Sequence, residues 1–394
     1  MVQSIRIENF KSIKKLELEL GRINVFIGEN GSGKSNILEA IALAGAAAAG
    51  KLDNEFLASR GIRATEPRHM RSALAVRDPS DDICIDAVSS SGTIVEFVLS
   101  HDNKPYSSWV SRGGTKPALE QQANAVKKLL HLFTLLDGDR NESVQLGSVE
   151  ISVEAAREML REATDEFNAG SSTSEVANFL IYSPENSSLR LFEQEGQIEP
   201  LGIRGEGLLK YLQVLAADPA YAGALVAIQD ALGVLGWFNG LGIPSSDANQ
   251  RSRIEIRDRF LSKDAGPLDQ TSANEGFLFL LFYFSLFSTD LTPGFFAIDN
   301  VDASLNPKLC ARLIVELNKL AKTHGKQAIL TTHNPATLDG LDLNDDQQRL
   351  FVISRGPEGE TRVRRIQQKR GSMAGIKLST AFIDGFLGGL PENF

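Results

Sequence analysis

The sequence predicts an α/β fold of two lobes with an insertion between them. Three observations carry that expectation. A short β-type run at 22–27 meets a glycine-rich loop and then a helix-forming run at 36–44. Two apolar runs, 295–298 and 327–332, read as buried strands that end beside residues able to do chemistry, Asp299 and His333. A chain of 394 residues is also long enough for two lobes.

Composition is that of a globular protein, 42% apolar and 23% charged. Cys84 and Cys310 are too few and too far apart for a disulfide framework or a zinc knuckle. The first seven residues show no export signal, and the apolar runs at 42–49 and 277–287 are too short to span a bilayer, so the expectation is a cytoplasmic protein without membrane contact. A net charge of −9 argues against a surface that holds nucleic acid throughout, yet leaves room for a local basic groove. The densest basic stretch is Arg362, Arg364, Arg365, Lys369 and Arg370. A solvated strand face explains it better than a nucleic-acid contact.

Taken in order, residues 4–8 and 13–20 alternate apolar with polar, the period of half-buried strands, and Gly21 closes the pair. Residues 28–36 then read GENGSGKSN. Gly28, four residues, Gly33, Lys34 and Ser35 make the complete P-loop spacing, in the strand–loop–helix context that gives the motif a mechanism. The glycines let the backbone curl, so that Asn30, Gly31, Ser32, Gly33, Lys34, Ser35 and Asn36 cradle phosphates at the positive end of a helix. Lys34 reaches the β/γ-phosphates and the Ser35 hydroxyl ligates Mg²⁺. The chain is therefore expected to bind a nucleoside triphosphate.

The runs at 83–88 and 93–99 read as a hairpin turned at 89–92. Residues 102–116 are polar and read as a loop. Residues 119–136, 153–167, 208–216 and 221–232 look helical, 170–174 is a loop, and 179–182 is a strand that ends before Pro184. No heptad repeat is sustained across 119–268, so the insertion is compact. Residues 202–207 hold three glycines, a weak nucleotide fingerprint that reads better as a helix-entry loop. Residues 254–260 alternate as a strand returning to the core.

The segment Ile7-Glu8-Asn9-Phe10-Lys11-Ser12-Ile13, followed by the loop with Glu29-Asn30 inside it and Asn36 after Lys34-Ser35, closely resembles the opening of ABC-type ATPases of the RecF/SMC/Rad50 and OLD-like group. The resemblance covers about residues 1–45 and 270–340. It implies a P-loop NTPase of ABC-head type with an N-terminal antiparallel β lobe and a mainly helical insertion between Walker A and the signature. Residues 1–118 would form the first ATPase lobe, 119–250 the insertion and 251–394 the second lobe. The resemblance makes Asp299 the Walker B ligand of Mg²⁺, residues 302–307 the D-loop and His333 the switch histidine. It puts the signature at 272–277, where Asn274 stands at the family's serine and Gly276 at its glycine.

Two departures matter. Asn274 replaces the signature serine, and Asn300 stands where the family carries a water-activating glutamate. An amide can orient water but cannot take its proton. Asp302 is the nearest other carboxylate and would point differently along an extended chain. Slow hydrolysis follows as an expectation.

The resemblance further implies a composite site, with Asn274 and Gly276 of one copy facing ATP on another, and Ser304 and Asn306 at the junction. The partners are then a second copy and a separate effector, nuclease or toxin, as in Septu-type and related anti-phage systems. The alternative is a RecF-like DNA-binding ATPase in repair. About sixty residues follow His333, too few for the Toprim nuclease domain of OLD proteins. The cluster Asp342, Asp345 and Asp346 reads as a solvated turn rather than a nuclease site. Residues 203–207, and the tail with Phe382, Ile383, Phe386 and Leu387, are candidate docking segments.

Overall fold

The computed structural model describes residues 1–72, 74, 81–90, 94–116, 143–146, 149–152, 175–192, 196–244, 253–367 and 376–389. The helices expected at 119–136 and 153–167, the loop at 170–174, and Lys369 and Arg370 lie outside them.

Strands β1 (Val2–Phe10) and β2 (Ile13–Glu19) pair antiparallel around the Lys11-Ser12 turn. With β4 (Ile83–Ser89), β5 (Ile94–Ser100) and β6 (Val110–Lys116) they form one antiparallel sheet in the order β2-β1-β4-β5-β6. The loop expected over 102–116 therefore ends in a strand. Pairing along β5 supplies the backbone bonds that this polar, Gly113-Gly114-containing edge lacks from side-chain pattern.

The second sheet holds β3 (Ile23–Ile27), β9 (Ile181–Tyr182), β12 (Phe295–Ile298), β13 (Gln327–Thr332), β14 (Gln348–Arg355) and β15 (Thr361–Ile366), in the order β15-β14-β3-β13-β12-β9. All its pairings are parallel except β14 with β15. Alternation sends successive side chains to opposite faces. Val25, Phe296, Leu330 and Val352 enter one core with the interior helix α7 (Glu275–Phe287). Phe26, Phe295, Ile329 and Phe351 enter the other, with α1 (Lys34–Ala48) and the N-terminal sheet. Helix α7 is apolar on all sides and buried from Phe277 to Phe287, as a helix at the centre of a core must be.

Between the lobes, α4 (Asn186–Leu189), α5 (Leu208–Ala217) and α6 (Ala222–Leu232) join the core that holds α7. Residues 254–260 return to the core, where Ile254 and Ile256 are buried; β11 (Glu255–Asp258) pairs with β10 (Phe238–Gly242) in a two-stranded ribbon, and Ile256 also bridges to Leu268. The insertion also contains a β7–β8 hairpin (Ser143–Leu146 and Val149–Ser152) beside its helices.

Residues 203–207 form the entry to α5, with Gly207 at its N-cap at φ +78°. Glu206 there is buried, so most of this segment packs inward instead of offering a docking surface. In the tail, α9 (Leu378–Ile383) buries Phe382 and exposes Ile383, and in the turn after it Leu387 is buried and Phe386 exposed. On β15, Arg362 and Arg365 pair with Glu360 and Asp346, which leaves the basic stretch a locally neutralised strand face.

Candidate active site

The carboxyl ends of three neighbouring parallel strands build the site, where open α/β sheets place their ligands. Strand β3 delivers Gly28, β12 delivers Asp299 and β13 delivers His333. Gly28 is buried with φ +158°, and a Cβ there would lie 2.0 Å from the Ile353 carbonyl of β14. Gly33 has φ +108°, and a Cβ would meet Thr361 Oγ1 at 2.0 Å. Both positions require glycine, and both requirements come from the β14–β15 hairpin.

That hairpin and the β1–β2 turn hold the loop from behind. Thr361 Oγ1 donates to the Ser32 carbonyl (3.1 Å) and shares a hydrogen bond with Ser12 Oγ (2.6 Å). Asn36 Nδ2 donates to Ser12 Oγ (2.7 Å), and Arg355 Nε donates to the Gly31 carbonyl (2.7 Å). The Asn36 side chain is thus a brace beneath the loop; only its backbone belongs to the cradle at the start of α1. Ser12, Thr361 and Arg355 escaped sequence reading because nothing local ties residues 12 and 361 to a loop at 28–36.

Lys34 Nζ donates to the carbonyls of Gly28 (2.9 Å) and Glu29 (3.0 Å). Burial pushes its pKa down to about 8, against the opposing pull of Asp299, Glu29 and Asp302. Ser35 Oγ donates to Asp299 Oδ2 at 3.2 Å, so the two residues assigned to Mg²⁺ converge on one point. Hydroxyl and carboxylate oxygens are the hard donors that Mg²⁺ takes. The loop itself spans 28–33, with α1 opening at Lys34. The residues present fit a magnesium–triphosphate.

Thr331 orients Asp299. Its hydroxyl donates to Asp299 Oδ1 and accepts the Asn300 N–H at 2.9 Å. Polar Thr331 and Thr332 at the end of an apolar strand were the signal available in the sequence. Asn300 is exposed and left-handed, with φ +56°. Beyond it the chain does not run extended: Ala303 N–H bonds to the Asn300 carbonyl (3.0 Å) and Leu305 N–H to the Asp302 carbonyl (3.2 Å). These turns correct the expectation that Asp302 points elsewhere, since its Oδ1 accepts the His333 N–H at 3.4 Å. Partial desolvation and the Lys34 ammonium depress the His333 pKa, which favours the neutral imidazole.

Asn274 and Gly276 lie at the start of α7. Asn274 is the N-cap, its Oδ1 accepting the Phe277 N–H at 2.8 Å. A Cβ on Gly276 would be 3.2 Å from the Ser304 carbonyl, and Ser304 Oγ donates to Glu275 Oε1 at 2.5 Å. The helix end therefore abuts the Ser304–Leu305 turn of its own chain, and Asn306 just beyond caps the helix α8 (Pro307–Thr323). Among the described residues no cluster of three or more His, Cys, Asp or Glu side chains could hold a metal, and no single helix is long and apolar enough to cross a membrane. Asp342 and Asp345 spend their carboxylates on turn N–H groups at Asn344 and Gln347, as a solvated turn does.

Known proteins are similar over short and long stretches. A 66-residue segment is 39% identical to the DNA replication and repair protein RecF of Rickettsia typhi, 16% of this chain and 15% of that protein. A 44-residue segment is 52% identical to the uncharacterized protein MJECL10 of Methanocaldococcus jannaschii, 11% of this chain and 20% of that one. The chain thus spans a fifth or less of the length of these relatives. Across nearly the whole chain the fold is similar to an SMC head crystallised with the C-winged helix domain of ScpA, with TM-score 0.53, 14% identity, and coverage of 94% of this chain and 98% of that one. The fold is that of an ABC-head P-loop NTPase. The family described as AAA domain, putative AbiEii toxin, Type IV TA system matches residues 23–339. With the P-loop, Asp299 and His333 all inside that match, which spans most of the chain, the protein belongs to this AAA-domain family.

Proposed function

We propose that this ATPase binds magnesium–ATP between two copies of itself, hydrolyses it slowly, and acts as the sensor or regulatory subunit of an anti-phage defence complex with a separate effector. The observation that carries the reading is the pairing of an intact cradle with Asn300. Ser35 and Asp299 converge at 3.2 Å, yet the next residue is an amide without a basic oxygen for the attacking water.

In this reading Ser35 and Asp299 hold Mg²⁺, which neutralises phosphate charge. Lys34 binds the β/γ-phosphates. Asn300 and neutral His333 orient the water, and Asp302 holds the His333 backbone. Residues 274 and 276 serve the nucleotide of the partner copy, which agrees with their seat against Ser304. Binding then stabilises assembly by mass action. The division into two lobes and an insertion, at 118 and 250, belongs to this proposal, as does a cytoplasmic location.

The toxin-system description of the matched family supports the defence role. The local identity to RecF supports the second reading, a DNA-binding ATPase in repair. Light scattering with and without ATP, together with turnover, tests the first. Mass doubling in ATP and turnover below about 1 s⁻¹ support it, whereas a fast monomeric ATPase overturns it. Partner-free, salt-sensitive binding of duplex DNA would favour the repair reading.

A further inference from the structure

Arg190 directs all three guanidinium nitrogens, through four hydrogen bonds, at backbone carbonyls and one side-chain amide. Nη1 donates to the carbonyls of Gln270 (2.6 Å) and Thr271 (2.9 Å), Nη2 to that of Ala273 (2.9 Å), and Nε to Asn186 Oδ1 (3.0 Å). Among the described residues no carboxylate lies within ion-pair distance of it. A planar fork of fixed donors suits three converging carbonyls in a way that a lysine cannot reproduce. The carbonyls belong to the turn that runs straight into Asn274, the cap of α7. The same turn is closed from inside by Asp269, whose Oδ1 accepts from Thr271 N (3.1 Å), Thr271 Oγ1 (2.6 Å) and Ser272 N (2.9 Å).

The other end of the connection is the metal-side carboxylate. Arg190 follows α4, which follows β9, and the Tyr182 carbonyl of β9 accepts the Asp299 N–H at 2.8 Å. The intervening chain has little freedom. Ser183 N–H bonds to the Ile203 carbonyl (2.8 Å) and Glu185 N–H to that of Arg204 (2.8 Å). Leu189 is fully buried, and packs so close to Gly205 that a Cβ there would lie 2.4 Å from Leu189 Cδ2. Eight residues of fixed chain thus separate the backbone of Asp299 from the guanidinium that holds the α7 entry.

We infer that Arg190 is a positioning residue that ties the chain's own magnesium–ATP site to the helix end it presents to a partner copy's nucleotide. A displacement of Asp299 on nucleotide binding is carried by β9 and α4 to Arg190, and by Arg190 to the 270–273 carbonyls. This rests on the composite-site reading above. Arg190 touches no nucleotide in this scheme; its work is to seat Asn274 and Gly276.

The test uses the full chain, ATP and a fluorescent ATP analogue. Arg190→Ala is expected to bind the analogue within about twofold of wild type, while ATP-driven dimerisation weakens roughly tenfold, within the usual range of coupling between sites. Arg190→Lys, which can satisfy only part of the carbonyl set, should fall between the two. A role in general folding would not produce the next result. Tagged Lys34→Ala, which lacks a working cradle but has an intact 270–276 turn, should capture Arg190→Ala in ATP, although neither captures itself. Capture no better than the homotypic controls overturns the inference, as does loss of analogue binding by a well-folded Arg190→Lys. A wild type that fails to dimerise in ATP overturns the composite-site reading and the inference with it. A wild type and an Arg190→Ala that dimerise equally overturn the inference alone.

Discussion

Thr331 Oγ1 accepts the backbone N–H of Asn300 at 2.9 Å while donating to Asp299 Oδ1. One hydroxyl thereby sets both the carboxylate assigned to Mg²⁺ and the backbone of the residue that follows it. Thr331→Val keeps the shape of the side chain and removes both bonds. Leaving that N–H and carboxylate oxygen short of partners should cost about 1–3 kcal/mol of stability. Nucleotide-dependent stabilisation, read as the shift in melting temperature with magnesium–ATP, should shrink more than the melting temperature of the free protein falls.

Asn300 at φ +56° is in the left-handed region, where asparagine is the best tolerated residue after glycine. Asn300→Glu should therefore lower stability by about 1 kcal/mol and still raise ATP turnover, because it restores a proton acceptor. Asn300→Gly should relieve the backbone without raising turnover. Parallel denaturation and phosphate-release measurements separate the two effects. A glutamate variant no faster than wild type would argue against the assigned role of residue 300.

Gly33→Ala tests the cradle. At φ +108°, with Thr361 Oγ1 only 2.0 Å from the new Cβ, the loop must shift, with strain of about 1–3 kcal/mol. Gly31, at φ +75° with nothing within 4 Å of a Cβ, carries the backbone cost without the clash. ATP affinity by calorimetry should fall further for Gly33→Ala than for Gly31→Ala.

Lys34, with its pKa depressed to about 8, gives a pH signature. Below pH 8 it is charged and ready for phosphate; above it the free protein loses the proton that bound phosphate would restore. ATP affinity should fall as pH rises from 8 to 9.5, by at most about tenfold per unit. The sign for stability is opposite. Because the unfolded lysine keeps its proton to a higher pH, the burial penalty on the folded state diminishes between about pH 8 and 10.5. Lys34→Arg, charged throughout, should remove the decline in affinity.

The parts of this protein legible in the sequence are those whose causes are local. Alternation at 4–8 and 13–20 marks the first two strands, four uninterrupted apolar residues mark β12, and glycine spacing with Lys34 and Ser35 marks the loop. Each of these depends on residues within about ten positions of one another. β6 escaped because it is a strand only through the hydrogen-bonding edge that β5 offers it. Asp302 escaped for a local reason, the two tight turns that follow Asn300, which no apolar pattern marks. By itself the sequence determined the chemistry available: the P-loop spacing, an acid at 299, a histidine at 333, and an amide at 300. Only the tertiary structure decided how those groups are held. Ser12 and Thr361 reach the loop from 24 and 329 residues away, and the 270–273 carbonyls reach Arg190 across some eighty residues. Hydrogen bonds of that separation leave no periodicity in the chain to read, because the packing of two sheets alone brings their ends together.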